Sequence, residues 1–191
     1  GQNAWGNSGI VATLAPDRAM WPQQEMVKEN KMNWQLVEIN GVKMEIRDRG
    51  SGEPIVFVHG SMGDELAAVL EEPALANHYR LVDYHRRGFG GSEHPQGPVS
   101  NAQQSADCRA IMRHLGIERA HFSGQSYGGV IILQVVMDAP EVVHTLALLE
   151  PALPSVMLSS AEFAPLFARV GGLYAAGDKA GAVDAFAQAV C

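Results

Sequence analysis

A serine hydroxyl attacks a carbonyl only when the chain holds it exposed and a neighbour takes its proton, and one stretch of this sequence is built for the first of these needs. Residues 121–129 read His-Phe-Ser-Gly-Gln-Ser-Tyr-Gly-Gly, which sets Ser126 between Gly124 and Gly128 in a G-x-S-x-G spacing. A strand that turns directly into a helix at such a serine keeps the residue in a strained backbone conformation with its hydroxyl outward. Glycine is needed on either side, because a Cβ there would collide with neighbouring backbone. An ordinary glycine-rich turn could carry the same string, so the context has to decide. Residues 120–123 suit the end of a strand, and 130–137 form an apolar run, Val-Ile-Ile-Leu-Gln-Val-Val-Met, long enough for a buried helix.

The elements that must position Ser126 are legible along the chain. Residues 35–39 and 42–46 alternate apolar and polar around Asn40-Gly41, a dipeptide that favours a two-residue hairpin, here expected at a sheet edge. Ile55, Val56, Phe57 and Val58 make an unbroken apolar run, as in a strand buried on both faces, and lead into His59-Gly60-Ser61-Met62-Gly63-Asp64. A helical stretch from Glu65 towards Leu75 is bent or restarted at Pro73. Residues 80–84 read as a strand ending in the glycine-rich loop 86–92, and 101–115 as a helix stopped by Gly116. Residues 144–149 read as a further strand, closed by Glu150-Pro151. Strands alternating with helices predict an α/β fold with a mostly parallel, doubly wound sheet and right-handed crossovers.

Both ends of the chain read differently. Residues 1–31 are expected to form an extended leader with a short helix near 23–29, and 32–153 the core. Beyond 154 the pattern turns helical, with pieces at 161–170 and 178–190 and no strand between them. Asp178 is placed to cap the second piece, whose Ala182, Val183, Phe186 and Val190 share one face.

Bulk composition narrows the partners. The chain has 191 residues, enough for one domain with a sizeable core. Lys plus Arg number 14 against 21 Asp plus Glu, a net charge of −7 that argues against nucleic acid. The two cysteines, Cys108 and Cys191, make neither a disulfide framework nor a metal-ligand spacing. No run approaches the ~18 apolar residues of a membrane span, and the first thirty residues lack a secretory pattern. The chain starts at Gly1, and the expected location is cytoplasmic. Neither metal nor cofactor is implied.

Three motifs in order, the His59-Gly60-Ser61 loop, the Arg87-Gly88-Phe89-Gly90-Gly91-Ser92 loop and the Gly124 to Gly128 elbow, resemble the first two-thirds of an α/β-hydrolase of the serine-nucleophile branch. The resemblance covers roughly residues 37–151, and 154–191 resemble the beginning of that family's helical cap. It implies that Ser126 is the nucleophile, with the backbone N–H groups of Tyr127 and Ser61 as the oxyanion hole. The side chains of Ser61 and Met62 would face the substrate pocket, bordered also by His59, Leu153 and Met157, with His59 more a support of the loop than a proton carrier. His85 stands where the family commonly has aspartate. The acid would be Glu150, directly after the sixth strand as in some haloalkane dehalogenases, or else a carboxylate after a seventh strand beyond this chain. The family order is serine, acid, histidine, and no histidine follows Glu150. The expectation is therefore that a complementary C-terminal segment or a second chain, packed beside the sixth strand, supplies the base.

The function implied is a serine hydrolase that cleaves a carboxylic ester or lactone through an acyl-enzyme. Leu153, Val156, Met157, Leu158, Phe163, Leu166 and Phe167 make the start of the cap apolar, so the substrate is expected to be a small ester-like molecule with a hydrophobic group. Hydrolysis of a carbon–carbon bond in a β-diketone, or cofactor-free perhydrolysis, would use the same triad. A chain without a base could instead serve as a non-catalytic ligand-binding or receptor protein on the same scaffold. Serine at the elbow argues against dehalogenase or epoxide-hydrolase chemistry, which in this family uses aspartate.

Overall fold

The computed structural model describes residues 34–63 and 66–190. The expected leader and its short helix lie outside the described residues. The described residues fall into two compact units, one running up to Pro151 and the other from Ala152 onward.

The first unit is built on six strands. β1 (Gln35–Ile39) and β2 (Val42–Gly50) form the expected hairpin, with Asn40 at φ 49° and Gly41 at φ 76°. Positive φ at both central residues gives the turn a twist that matches its strands, which is why Asn-Gly is found there. β3 (Glu53–Val58), β4 (Tyr79–Tyr84), β5 (Ala120–Gln125) and β6 (Val143–Leu149) complete the sheet in the order β1-β2-β4-β3-β5-β6. The β1–β2 and β2–β4 pairs are antiparallel; β3–β4, β3–β5 and β5–β6 are parallel. β6 is the last strand of the described sheet, and Leu146, Leu148 and Leu149 along it are 37–39% exposed.

Short helices α1 (Ala67–Leu70) and α2 (Pro73–Ala76) follow β3, and Pro73 sits in the first turn of α2, where its missing N–H costs nothing. Phe57 and Leu81 pack with Leu66 and Leu70 on one side of the sheet, joined by Ile55, Leu75 and Tyr79. The alternate residues Val56, Val58 and Phe122 point the other way and are 0–1% exposed. α3 (Asn101–His114) and α4 (Tyr127–Asp138) pack together, and α4 lies against β5 and β3. Ile111, Met112, Ile131, Ile132 and Val135 are almost fully buried. Each such side chain is worth about 1.5–3 kcal/mol of transfer free energy. Ser100 caps α3 by accepting the Gln103 N–H at 3.1 Å.

In the second unit α5 (Pro154–Ser159), α6 (Phe163–Ala175) and α7 (Lys179–Val190) follow one another. Val170, Ala182 and Ala185 are buried, and the Phe167 and Phe186 rings lie 6.4 Å apart. Asp178 caps α7 as expected, its Oδ1 accepting the Gly181 N–H at 2.9 Å. Two features differ from the expectation. α5 is an additional helix, opened by Pro154 in its first turn, and α6 runs on through Gly171-Gly172 rather than stopping at 170. Packing of α6 against α7 outweighs the low helix propensity of the two glycines. No helix among the described residues is long and apolar enough to cross a membrane.

Candidate active site

β5 ends at Gln125 and α4 begins at Tyr127, so Ser126 is the whole of the turn between them. Its backbone is left-handed, φ 50° and ψ −118°, in a non-glycine residue. Such a conformation costs of order 1–3 kcal/mol and persists only where the surroundings impose it. Here they do. The Ser126 N–H donates to Leu149 O at 2.9 Å, and its carbonyl accepts the Gly129 N–H at 3.1 Å. A Cβ on Gly124 would sit 2.8 Å from the Gly128 carbonyl oxygen, and one on Gly128 would meet the carbonyl oxygens of Val58 and His59. The serine side chain itself is half-buried, at the carboxyl edge of the parallel strands. Ligands of open α/β sheets bind at that edge.

Glu150 follows β6 at the same edge. It is exposed and adopts φ 48°, so two of the three described non-glycine residues with positive φ flank the bond between Ser126 N–H and Leu149 O. Pro151 lies against the first turn of α4, its Cβ 2.9 Å from where a Cβ on Gly129 would be.

The loop after β3 is held from beneath. His59 is 5% exposed and both of its ring nitrogens are engaged. Nε2 accepts the Arg86 backbone N–H at 3.0 Å, so Nδ1 carries the proton and donates to Gly60 O at 2.8 Å. Burial, with the Arg86 charge beside it, pushes the imidazole well below the usual 6.5. A neutral histidine whose nitrogens are both occupied supports a loop rather than shuttling protons. Arg86, 4% exposed, donates from Nη2 to the same Gly60 oxygen at 2.6 Å and from Nη1 to Gln104 Oε1 at 2.7 Å. Its guanidinium lies 4.5 Å from the Phe89 ring centre and 5.1 Å from that of Tyr127, within cation–π range. Tyr127 OH donates to Asn101 Oδ1 and accepts from Gln104 Nε2 at 3.1 Å. Burial raises the Tyr127 phenol and keeps it a donor.

This network fixes one peptide plane. The Gly60–Ser61 bond is trans, so its C=O and N–H point in opposite directions. With the Gly60 oxygen bonded inward to Arg86 and His59, the Ser61 N–H is turned away from them. Ser61 is half-buried and Met62 is 39% exposed. Arg86, Gln104 and Asn101 carry no sequence signature of this role. Nothing in their spacing marks them, because they meet only when α3 packs beside the loop.

The second glycine-rich loop is anchored by ion pairs. Arg87 makes a two-pronged contact with Asp107 at 2.6 and 2.8 Å, and Asp107 also accepts from Asn40 Nδ2 at 2.9 Å, which ties loop, helix α3 and hairpin turn together. His85 Nδ1 is 2.8 Å from Glu45 Oε2, and its ring stacks on Trp34 at 4.2 Å. His78, His94 and His114 are exposed, and His121 and His144 sit at the amino ends of β5 and β6. Leu153 and Met157, expected at the pocket, are half-buried at the start of α5 in the second unit.

A family model described as alpha/beta hydrolase fold matches residues 53–190. A fluoroacetate dehalogenase from Burkholderia sp. is 34% identical over 120 residues, 60% of this chain and 40% of that protein. A soluble epoxide hydrolase from Corynebacterium sp. is 31% identical over 114 residues, 59% of this chain and 39% of that protein. Among solved structures, a meta-cleavage product hydrolase from Pseudomonas fluorescens superposes with a TM-score of 0.54 at 27% identity, over 59% of this chain and 43% of that one. The chain thus spans about 40% of the length of the relatives it matches.

Proposed function

Because this chain belongs to the α/β-hydrolase fold family, we propose that it is a serine hydrolase acting by acyl transfer at Ser126 on a carboxylic ester or lactone with a hydrophobic group. The reading rests on one observation: a half-buried serine held at φ 50° between a strand and a helix, where backbone atoms exclude any side chain from the flanking glycines. Ser126 Oγ attacks the carbonyl carbon while its proton passes to a histidine base. The negative oxygen of the tetrahedral intermediate is met by the N–H groups of Ser61 and Tyr127. Collapse expels the alcohol, which takes the proton back, and water then cleaves the acyl-serine to release the acid and restore the hydroxyl. Glu150 orients and stabilises the imidazolium. Met62 and, beneath the loop, His59 shape one side of the pocket.

Relatives named for dehalogenation and epoxide opening share the fold, yet a serine in their place would be a dead end. Its attack on an alkyl carbon gives an ether, which water does not cleave, whereas attack on an acyl carbon gives an ester, which water does. A second reading, hydrolysis of a carbon–carbon bond beside a ketone, is favoured by the likeness to a meta-cleavage product hydrolase and needs the same serine.

Treatment of the protein with a fluorophosphonate is expected to place one adduct on Ser126, located by peptide mass spectrometry and lost in Ser126→Ala. An unlabelled Ser126 would leave a ligand-binding scaffold as the reading. Parallel assays with p-nitrophenyl esters and with a β-diketone separate the two hydrolytic readings. Glu150→Gln is expected to lower turnover by about 10³–10⁴-fold, as loss of the orienting carboxylate does in other triads; near-normal turnover would assign the acid to another carboxylate.

A further inference from the structure

At the end of the sheet remote from Ser126, three strands bring together side chains of another kind. Glu53 opens β3, while His121 and His144 are the second residues of β5 and β6. His121 lies five positions before Ser126 along the chain, about 16 Å of extended strand. The β5–β6 register slips here: Ala120 pairs with Val143 but His121 pairs with Thr145, which leaves His144 as an extra residue on β6. Irregularities of this kind re-aim side chains, and the His144 ring meets that of His121 edge-on, with centres 4.6 Å apart and planes at 90°. His121 Nδ1 lies 2.7 Å from Thr145 Oγ1, and Nε2 lies 3.2 Å from Glu53 Oε2. One ligand atom from each of Glu53, His121 and His144 lies within 4.8 Å of the others.

We propose that Glu53, His121 and His144 form a binding site for a first-row transition-metal dication, with Zn²⁺ the best fit. Two imidazoles and a carboxylate are the donor set that such ions favour over magnesium or calcium. Thr145 is placed as the outer partner that metal-bound histidines need: in the tautomer with the proton on Nδ1 its hydroxyl accepts that proton, and the Nε2 lone pair faces Glu53. The 3.2 Å from Nε2 to Glu53 Oε2 is also a hydrogen-bond separation, so a dication competes there with a proton. Two ligand atoms bound tetrahedrally to one zinc, each at ~2.0–2.1 Å, stand about 3.3 Å apart, close to the separation found. His144, whose ligand atom lies within 4.8 Å of the other two, would be the third ligand, with the fourth position left to water. Because β3, β5 and β6 are neighbours in one sheet, the ligands are held by paired backbone rather than by loops.

Titration of the metal-free, untagged protein with Zn²⁺ by isothermal calorimetry tests this. One equivalent is expected to bind, weakened at least tenfold by Glu53→Gln and lost in His121→Ala and in His144→Ala. Co²⁺ should give the visible absorption of a four-coordinate ion in the parent and not in the histidine variants. His78→Ala, His94→Ala and His114→Ala, at exposed positions elsewhere, should leave binding unchanged. Thermal melts without metal confirm that each variant folds, since Glu53 and His144 are exposed and His121 is half-buried. No stoichiometric binding, or binding that follows the control histidines, would overturn the site and mean that Thr145 and Glu53 simply hydrogen-bond the His121 ring. Ser126 labelling plays no part in the readout, so the two conclusions stand or fall separately.

Discussion

At the scale of single residues, the chemistry attributed to Ser126 depends on side chains that never touch substrate. Arg86 is a positioning residue: with His59 it holds the Gly60 oxygen inward and so sets the direction of the Ser61 N–H. Replacing it with methionine keeps most of the volume between Phe89 and Tyr127 but removes one of the two donors to that oxygen. Full loss of an oxyanion donor costs 10²–10³ in turnover, so a donor that is misaimed should cost about 10-fold to 10². Arg86→Met is therefore expected to lower kcat with KM nearly unchanged, because a ground-state carbonyl gains little from an amide aimed at the developing oxyanion. Arg86→Lys, which can still reach the carbonyl, should recover part of the loss. An equal rise in KM with unaltered kcat would mean that Arg86 shapes substrate binding instead.

At the scale of elements, the close approach of α4 to β3 sets Gly128 apart from a glycine in an open helix face. Gly128→Ala would drive a Cβ into the carbonyl oxygens of Val58 and His59, backbone atoms that cannot swing aside. A loss of at least 2 kcal/mol is expected in urea denaturation, towards the upper end of the range for overpacking. Gly172→Ala, inside α6 with open space where the Cβ would lie, should gain about 0.5–1 kcal/mol from helix propensity. The same contrast explains which elements the sequence discloses. The Asn40-Gly41 hairpin and the Gly124 to Gly128 elbow are local: a few residues carry both the backbone conformation and its cause. The continuation of α6 through Gly171-Gly172 is not local, since its reason is α7, and α5 hides behind a proline that reads equally well as a break. For the sites, Ser126 and Glu150 are visible because each closes a recognisable strand. Glu53, His121 and His144 lie 68 and 23 positions apart and meet only through sheet order and a register slip, which no spacing announces.

At the scale of the whole molecule, burying a histidine under the loop links folding to pH. His59 is held neutral in the folded chain by burial first and then by the Arg86 charge, against the opposing effect of its bond to the Gly60 carbonyl, with His85 adding least. In the unfolded chain the ring regains its usual value of 6.5 and takes up a proton below it. The unfolded state then binds more protons than the folded one, so stability falls as pH falls. The contribution is fully present above the unfolded value and is lost progressively below it, with a slope that approaches about 1.4 kcal/mol per pH unit. Urea denaturation at pH 7.5 and 5.5 reads this directly. The parent should lose more over that interval than His59→Gln, up to about 1.4 kcal/mol, since glutamine still offers a donor and an acceptor but does not titrate. The variant begins from a lower stability, so the quantity that matters is the difference between the two slopes. Parallel profiles would mean that His59 gains its proton in the folded state as readily as in the unfolded one, and the bond from the Arg86 N–H to Nε2 could not then be what fixes the loop.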